Sequence, residues 1–512
     1  MVQPWYADEF AMAGPVTGIA KAMRLLLHHR PSRGYYPEPS KSIFVCNAED
    51  REQARTVLEE FNFRHLEGTR YIGGFIGSNA SQDEWLQPQI DSWVDGVKKL
   101  AGVAKRYPQT AYAGLVKSLQ TEWTYLQQVV PDVATAFQPI ENAIRDEFLP
   151  ALMGGDPPDR ELSQLPVRYA GLGILDPCKN AQCHYLTSKA MTASLSSSLV
   201  EGVDMDAMGY RMESNRTLQE SKAIQEVELA STLESLLVVA PPDDQRRMKR
   251  SQETGTWLTA TPSLDYGTAL SRTEFRDAIL CLCHGLIPLD LPTKCDGCPS
   301  TKNFTMGHAF QCKKGGLVLA RHDEMAAEWH QLCSQALTPS AVTDEPIIPI
   351  YQNQDVDKEG EQEPALRGHV SAHGFWSRGT TAIFDIHITD TDVSSYRKQD
   401  PRKVLQWQER EKKMKYGDAC KEAHRHFTPL VYSVDGLEGD EVAAASKRLA
   451  SRLAAKWNQK YAQVYTFVRS RMAFTLARTA SRCIHGTRTP NQRPHSLAWA
   501  PNAGIRLYTQ LF

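Results

Sequence analysis

The chain has 512 residues, of which 41% are hydrophobic and 23% charged, so composition favours a folded protein of several domains and excludes a disordered one. Its 58 Lys and Arg residues nearly balance 60 Asp and Glu residues, and 11 cysteines over this length exclude a dense disulfide framework. No run of 18 or more apolar residues predicts a transmembrane helix, and the first ten residues are not typical of a signal peptide. No membrane partner is therefore expected.

The first 80 residues predict short strands alternating with helices. Helical periodicity covers residues 20–27, a strand is predicted at 42–45, and a glycine-rich hairpin at 70–77. An acidic pair, Asp8-Glu9, precedes them. An aspartate at a strand turn can hold a divalent cation for phosphoryl transfer, but most acidic pairs are turn or surface residues. The pair alone leaves both readings open.

An amphipathic helical pattern begins near residue 84 and continues to 153. Apolar residues recur at helical spacing, for example at Ile90, Val97 and Leu100. A Gly- and Pro-rich linker is predicted at 154–165, and the segment LPVRYAGLGI follows at 165–174.

Four residues have the spacing of a zinc site. Cys295, Cys298, His308 and Cys312 follow the pattern C-x2-C-x9-H-x3-C. Two thiolates two residues apart fit a knuckle, and a His and a Cys one helical turn apart complete a tetrahedron. The alternative is chance placement in a chain with 11 cysteines.

Strand-like runs at 347–350, 368–376 and 381–388 follow a predicted helix that begins near Glu324. Asp385 lies in the middle of the third run, and two lysines, Lys412 and Lys413, follow in a helical segment. Each of these residues could also be structural: Asp385 as a satisfied strand acid, and the lysines as a solvated helix face.

The last 71 residues, from Val442 to Phe512, contain no Asp or Glu but carry twelve Lys and Arg residues interleaved with aromatic ones. Leu449, Leu453, Trp457 and Tyr461 recur every four residues, which predicts one helix face. Such a segment is the usual electrostatic footprint of phosphate binding, with a solvated helix face as the alternative. The predicted nucleic-acid-binding residues are Arg448, Arg452, Lys456, Lys460, Arg469, Arg471 and Arg478.

Taken in order, these motifs resemble the polyprotein of non-LTR retrotransposons. The resemblance is carried by YADE at residues 6–9, GYYPEPSK at 34–41, RYIGGFIG at 70–77, LPVRYAGLGI at 165–174, WL at 257–258, FRDA at 275–278, the Cys-Cys-His-Cys pattern and RHDE at 321–324. These segments are similar to the second half of a reverse transcriptase palm, the end of its thumb, and the zinc knuckle that precedes a restriction-like endonuclease.

The resemblance implies a multidomain α+β fold. The implied domains are a partial reverse transcriptase palm at 1–80, a helical thumb at 81–176, a helical connector at 177–290, a zinc knuckle and linker at 291–322, an α/β nuclease core of the restriction-like PD-(D/E)xK type at 323–440, and basic C-terminal helices at 441–512. The implied catalytic residues are Asp8, Glu9 and Lys41 in the palm, and Glu324, Asp385, His387 and Lys413 in the nuclease core.

Three positions depart from the family pattern. Glu9 stands where the family has a second aspartate, Ala170 where it has a glycine, and His369 where it usually has an aspartate. Histidine replaces a carboxylate poorly as a magnesium ligand. The chain also starts at the palm turn, so we expect a truncated or decayed copy, or a gene prediction begun at an internal methionine, without polymerase activity.

The implied function is therefore that of a polyprotein remnant of RNA-directed DNA polymerase ancestry. It would bind DNA and RNA, hold Zn²⁺ in the knuckle, and nick DNA by hydrolysis with Mg²⁺ or Mn²⁺. The alternative is a catalytically inactive, zinc-containing nucleic-acid-binding protein. An intracellular and, by family inference, nuclear location is expected.

Overall fold

The computed structural model describes residues 5–6, 9–157, 159–286, 288, 291–299, 303–348 and 366–489. It is mixed α+β with helices predominating, which confirms the general fold class. The strands are β1 Trp5–Tyr6, β2 Glu9–Phe10, β3 Ile43–Phe44, β4 Arg64–His65, β5 Gly68–Tyr71, β6 Gly74–Gly77, β7 Val342–Asp344, β8 Val370–His373, β9 Thr381–Thr389 and β10 Arg425–Ser433.

Helices occupy most of the remaining described chain. They are α1 Val16–His29, α2 Arg51–Leu58, α3 Asn79–Ala104, α4 Pro108–Gly114, α5 Gln120–Val129, α6 Gln138–Ala143, α7 Leu149–Met153, α8 Arg160–Gln164, α9 Pro177–Met191, α10 Ala193–Glu201, α11 Ala207–Val239, α12 Pro242–Thr254, α13 Arg272–Asp277, α14 Met306–Gln311, α15 Leu317–Ala336, α16 Pro401–Glu422, α17 Asp440–Trp457 and α18 Tyr461–His485. Within the described residues, none of these helices combines the length and apolarity needed to cross a membrane.

The chain forms two compact units, each discontinuous in sequence. Unit 1 comprises Met1–Gly102, Gly114–Leu149 and Leu175–Thr232, and unit 2 comprises Val103–Ala113, Pro150–Ile174 and Leu233–Phe512. The segment 81–176, expected to be one thumb domain, contributes to both units. The six consecutive domains remain a prediction.

Unit 1 contains the short strands of the N-terminal region. Ile19 and Met23 of α1 pack with Leu58 of α2 around a small apolar core, at the spacing that places them on one helix face. The antiparallel pairing of β5 with β6 confirms the predicted hairpin at 70–77. Farther along, Trp93 of α3 stacks on Phe137 at a ring distance of 6.0 Å.

Unit 2 is built around a four-stranded sheet in the order β10-β9-β8-β7. β9 pairs antiparallel with β8 and parallel with β10, and α16 provides the crossover between β9 and β10. Alternate residues of β9 serve opposite faces of the sheet. Ile383 packs with Tyr416 of α16, and Phe384 packs edge-on against Trp329 of α15 at 5.5 Å.

The strand predictions are confirmed to different degrees. The run at 381–388 is β9, and the run at 368–376 shortens to β8. The strand expected at 347–350 is reduced to a single bridge between Ile347 and Arg367, and residues 349–350 lie outside the described residues. The strand that pairs with β8 is instead β7, a few residues earlier.

The described part of the C-terminal basic segment forms two helices, and the single helix face predicted through Tyr461 is wrong. α17 ends at Trp457 because Asn458 adopts a left-handed conformation, with φ of 52°. Leu449 and Leu453 of the predicted face are buried, whereas Tyr461 is exposed at the start of α18.

Candidate functional site

The four predicted zinc ligands come together in unit 2. The ligand atoms of Cys295, Cys298, His308 and Cys312 all lie within 4.8 Å of one another. The Cys312 Sγ is 3.9 Å from the Cys295 Sγ and 3.6 Å from the Cys298 Sγ. Tetrahedral zinc with metal–sulfur bonds of about 2.3 Å places two sulfur ligands about 3.8 Å apart. The cluster prediction is confirmed, and its geometry and donor set are compatible with zinc.

Local structure explains how the ligands converge. The Thr305 side chain caps α14 by accepting the His308 backbone N–H at 3.1 Å, which fixes His308 in the first turn of α14. Cys312 directly follows the last residue of this short helix. The loop that carries the first two cysteines is closed by a backbone bridge between Lys294 and Asn303.

The Cys295 thiol lies in an environment suited to a metal ligand. Burial raises its pKa, but hydrogen bonds from the backbone N–H groups of Gly297 and Cys298, and from the neighbouring thiols, outweigh burial and hold the pKa below its ordinary value. The thiolate is the form that binds a metal. The knuckle backbone therefore favours the ligating form of Cys295.

A distant segment closes over the knuckle. The Asp296 carboxylate accepts hydrogen bonds from the Thr487 hydroxyl at 2.6 Å and the Arg488 backbone N–H at 2.8 Å. The Arg488 side chain is 4% exposed and donates to the carbonyls of residues 483 and 486. A Cβ at Gly315, where φ is 71°, would lie 2.4 Å from the Arg488 Cα. Only glycine fits this approach. The structural role of Arg488 could not be predicted from the sequence, in which it is one of twelve cations in a basic segment.

Asp385 is the centre of a second polar cluster. It lies on β9, is 2% exposed, and meets the His369 Nδ1 at 3.0 Å and the Lys412 Nζ at 2.8 Å. Burial raises the pKa of Asp385, but the His369 hydrogen bond and Lys412 outweigh it and hold the pKa below its ordinary value. The carboxylate is therefore ionised at neutral pH, with one partner at each oxygen.

Two histidines lie close to this cluster: His387 interacts with Asp385, and His322 lies next to His387. Burial and the charge of Lys412 lower the pKa of His387 to about 4, and burial and Arg321 lower the pKa of His322 to about 3. Their ring centroids are 6.0 Å apart. Both imidazoles are neutral at pH 7. His322 was not singled out as a site residue, and its place beside His387 follows only from the packing of α15 on the sheet.

The two other predicted nuclease residues lie against different partners. Glu324 forms an ion pair with Arg482 of α18, and Lys413 forms one with Glu441 of α17. The residues next to them in sequence, Asp323 and Lys412, interact with the Asp385 cluster instead. Asp323 is electrostatically coupled to His369, and Lys412 binds Asp385.

The predicted palm residues form no cluster that the structure describes. Lys41 forms an exposed ion pair with Glu38 at 2.7 Å. Asp8 and the side chain of Glu9 lie outside the described residues.

The donor set around Asp385 does not fit a preassembled Mg²⁺ or Mn²⁺ site. Among the described residues, the zinc cluster is the only group of three or more His, Cys, Asp or Glu ligand atoms within 4.8 Å of one another. Both oxygens of Asp385 are engaged by His369 and Lys412. Divalent cations of this kind require several oxygen ligands.

Most of the predicted nucleic-acid-binding cations are engaged within unit 2. Arg448 and Arg452 each donate to the Phe375 carbonyl at 3.1 Å, and the Lys456 Nζ donates to the Gln335 carbonyl at 2.6 Å. The next three also have internal partners: Arg469 pairs with Glu438, Arg471 with Glu328, and Arg478 donates to the Ala269 carbonyl. Lys460 is exposed at the start of α18. Most of these Lys and Arg side chains therefore connect elements within unit 2.

No protein-family model matches the chain, and no curated protein matches it either. The resemblance to non-LTR retrotransposon polyproteins therefore depends on the sequence motifs themselves.

Proposed function

We propose that this chain is a zinc-containing nucleic-acid-binding protein, related to non-LTR retrotransposon polyproteins. The observation that carries the proposal is a Cys-Cys-His-Cys cluster with sulfur separations suited to zinc, flanked by exposed lysines. Zinc would be held by these four residues and would fix the loop structurally. Zinc knuckles are a recurrent means of binding single-stranded RNA.

The charge around the knuckle favours a polyanionic partner. Lys294, Lys313 and Lys314 are exposed, and within the described part of the chain none of them forms an ion pair with a carboxylate. The acid in the knuckle, Asp296, is engaged by Thr487 and Arg488 instead. Asp296 is exposed and keeps its negative charge, so the three lysines outnumber it and the four exposed charges together are net positive.

The backbone at 165–174 supports the proposed ancestry. Ala170 stands at a glycine of the family pattern, and its φ of 64° lies in the left-handed region that glycine favours. At the next position, a Cβ on Gly171 would lie 1.9 Å from the Leu165 carbonyl oxygen. The glycine pattern thus has a physical basis in this chain, and Ala170 occupies a site made for glycine.

Replacing two exposed lysines of the knuckle tests the proposed function. The double substitution Lys313→Gln and Lys314→Gln is expected to weaken binding of a 20-nucleotide RNA about tenfold at low salt, because two phosphate contacts are lost. Fluorescence anisotropy over a salt series should show the slope of log Kd against log salt fall by about 1.4. Zinc content, measured by mass spectrometry, should not change.

The matched control is Lys398→Gln with Lys403→Gln, which removes two exposed lysines of unit 2 outside the knuckle. Equal affinities for the two double variants would contradict a role of the knuckle in binding.

A second candidate function is DNA cleavage at Asp385. It is favoured by one observation, a buried and ionised carboxylate on the central strand with a lysine 2.8 Å away. The described donors do not assemble a divalent-cation site, so binding remains the function that the geometry supports better.

Incubation with supercoiled plasmid and Mg²⁺ or Mn²⁺ separates the two functions. We expect the wild-type protein to bind the plasmid and leave it intact, as the isosteric variant Asp385→Asn also would. Nicking by the wild type that disappears in Asp385→Asn would instead establish cleavage and overturn the purely binding function.

A further inference from the structure

A groove between the β8–β9 turn and α17 is lined by cations. Its volume is about 570 Å³, and its polar lining comes from His373 at the end of β8, from Arg378 of the turn, and from Arg448, Ser451 and Arg452 of α17. Among the residues that the structure describes, no Asp or Glu lines it. Among the described residues, none of its three guanidinium groups forms an ion pair with a carboxylate.

Two of the arginines are held in place without being neutralised. Arg448 and Arg452 are four residues apart and therefore lie on the same face of α17. Arg448 donates to the carbonyls of Phe375 and Trp376 at 3.1 and 3.0 Å, and Arg452 donates to the Phe375 carbonyl at 3.1 Å. A carbonyl accepts a hydrogen bond but carries no compensating charge. Two cations are thus fixed side by side in an open groove.

The electrostatics of the pair are unfavourable in the absence of an anion. Burial lowers the pKa of Arg452, and the charge of Arg448 lowers it further. An anion between the guanidinium groups would relieve this repulsion. The exposed side chains of Arg378, His373 and Ser451 add further donors along the same groove.

We propose that this groove binds backbone phosphates of nucleic acid and forms a second contact surface in addition to the zinc knuckle. The proposal rests on the proposed function, because the occupant is the same nucleic acid. Guanidinium groups match phosphate oxygens in geometry as well as in charge. Three of them along an open groove suit successive phosphates of a strand better than one free anion, which a single guanidinium fork can hold.

Arg378 provides the sharpest test because it is exposed, and within the described part of the chain its side chain forms no hydrogen bond or ion pair that supports the fold. Arg378→Glu is expected to weaken binding of the same 20-nucleotide RNA roughly tenfold at about 100 mM salt, and to lower the salt slope by at least about 0.7. The matched control is Arg410→Glu, the same change at an exposed arginine of α16. Anisotropy measures affinity, and circular dichroism and zinc content establish that both variants fold.

Equal affinities of Arg378→Glu and Arg410→Glu would overturn the groove as a binding surface. The knuckle lysines make the two proposals separable. If Arg378→Glu weakens binding while Lys313→Gln with Lys314→Gln does not, the groove stands and the knuckle assignment fails. If only the lysine substitutions weaken binding, the knuckle assignment stands and the groove proposal is overturned.

Discussion

Cys312→Ser is expected to release the bound zinc and to destabilise unit 2 by on the order of 5 kcal/mol. Structural zinc sites contribute about 10–16 kcal/mol in isolated finger peptides. Unit 2 also has a buried hydrophobic core formed by its sheet and helices, so we expect only part of that free energy to be lost. Cys312 is buried, and its Sγ lies 3.9 Å from the Cys295 Sγ and 3.6 Å from the Cys298 Sγ. Metal analysis should fall from about one zinc per chain to none, and calorimetry should show a lower melting temperature.

A chelator provides the internal check. It should lower the melting temperature of the wild type and leave Cys312→Ser unchanged, because the variant has no zinc to lose. Cys46→Ser removes a partly exposed thiol of unit 1 and should retain zinc and stability. A wild-type protein that folds without metal, and whose melting temperature does not change with the chelator, would contradict the zinc assignment.

Asp435→Ala is expected to cost about 3–5 kcal/mol of unfolding free energy. The Arg250 guanidinium is 5% exposed and is neutralised by Asp435 at 2.5 Å and Asp392 at 2.5 Å. Burial disfavours its charged form, but the two carboxylates outweigh burial and raise its pKa above the ordinary value. Removing Asp435, itself 4% exposed, leaves the buried cation with one partner.

Urea denaturation measures this cost. Arg367→Gln breaks the exposed pair of Arg367 with Glu345, 3.6 Å apart, and should change stability by less than about 1 kcal/mol. Replacing both partners, as in Arg250→Met with Asp435→Leu, should recover part of the loss because no charge is then buried alone. A cost for Asp435→Ala no larger than for Arg367→Gln would show that the network contributes nothing.

Features set by local pattern could be predicted from the sequence. The β5–β6 hairpin, β9 and helix α1 follow from residue periodicity and turn residues. The zinc cluster follows from spacing, because four ligands within 18 residues can meet with little help from the rest of the chain.

Residue-level assignments in the Asp385 cluster could not be fixed in this way. Successive residues of an α-helix point about 100° apart, so a shift of one position selects a different face. Lys412 rather than Lys413 therefore forms an ion pair with Asp385, and Asp323 rather than Glu324 interacts electrostatically with His369. The sequence motif narrows the choice to neighbours, and packing of the helix on the sheet decides between them.

The basic C-terminal segment shows a second limit of prediction from the sequence, which concerns the partners of charged residues. Its charge is plain in the sequence, but charge does not reveal a partner. Arg471 meets Glu328 across 143 positions, and Arg478 meets the Ala269 carbonyl across 209. Because of such long-range contacts, arginines that look like ligand-binding residues in the sequence instead bind other parts of unit 2. Arg378 lies outside the basic segment and lines the groove.

The contact of Asp296 with Arg488 has a consequence for biosynthesis, because the two residues are 192 positions apart. At about 5–20 residues per second, a ribosome adds that length in about 10–40 s. All four metal ligands are made before the segment that closes over them. The nascent chain can thus take up zinc while the knuckle is still accessible, and the later arrival of residues 487–489 would slow the release of the metal.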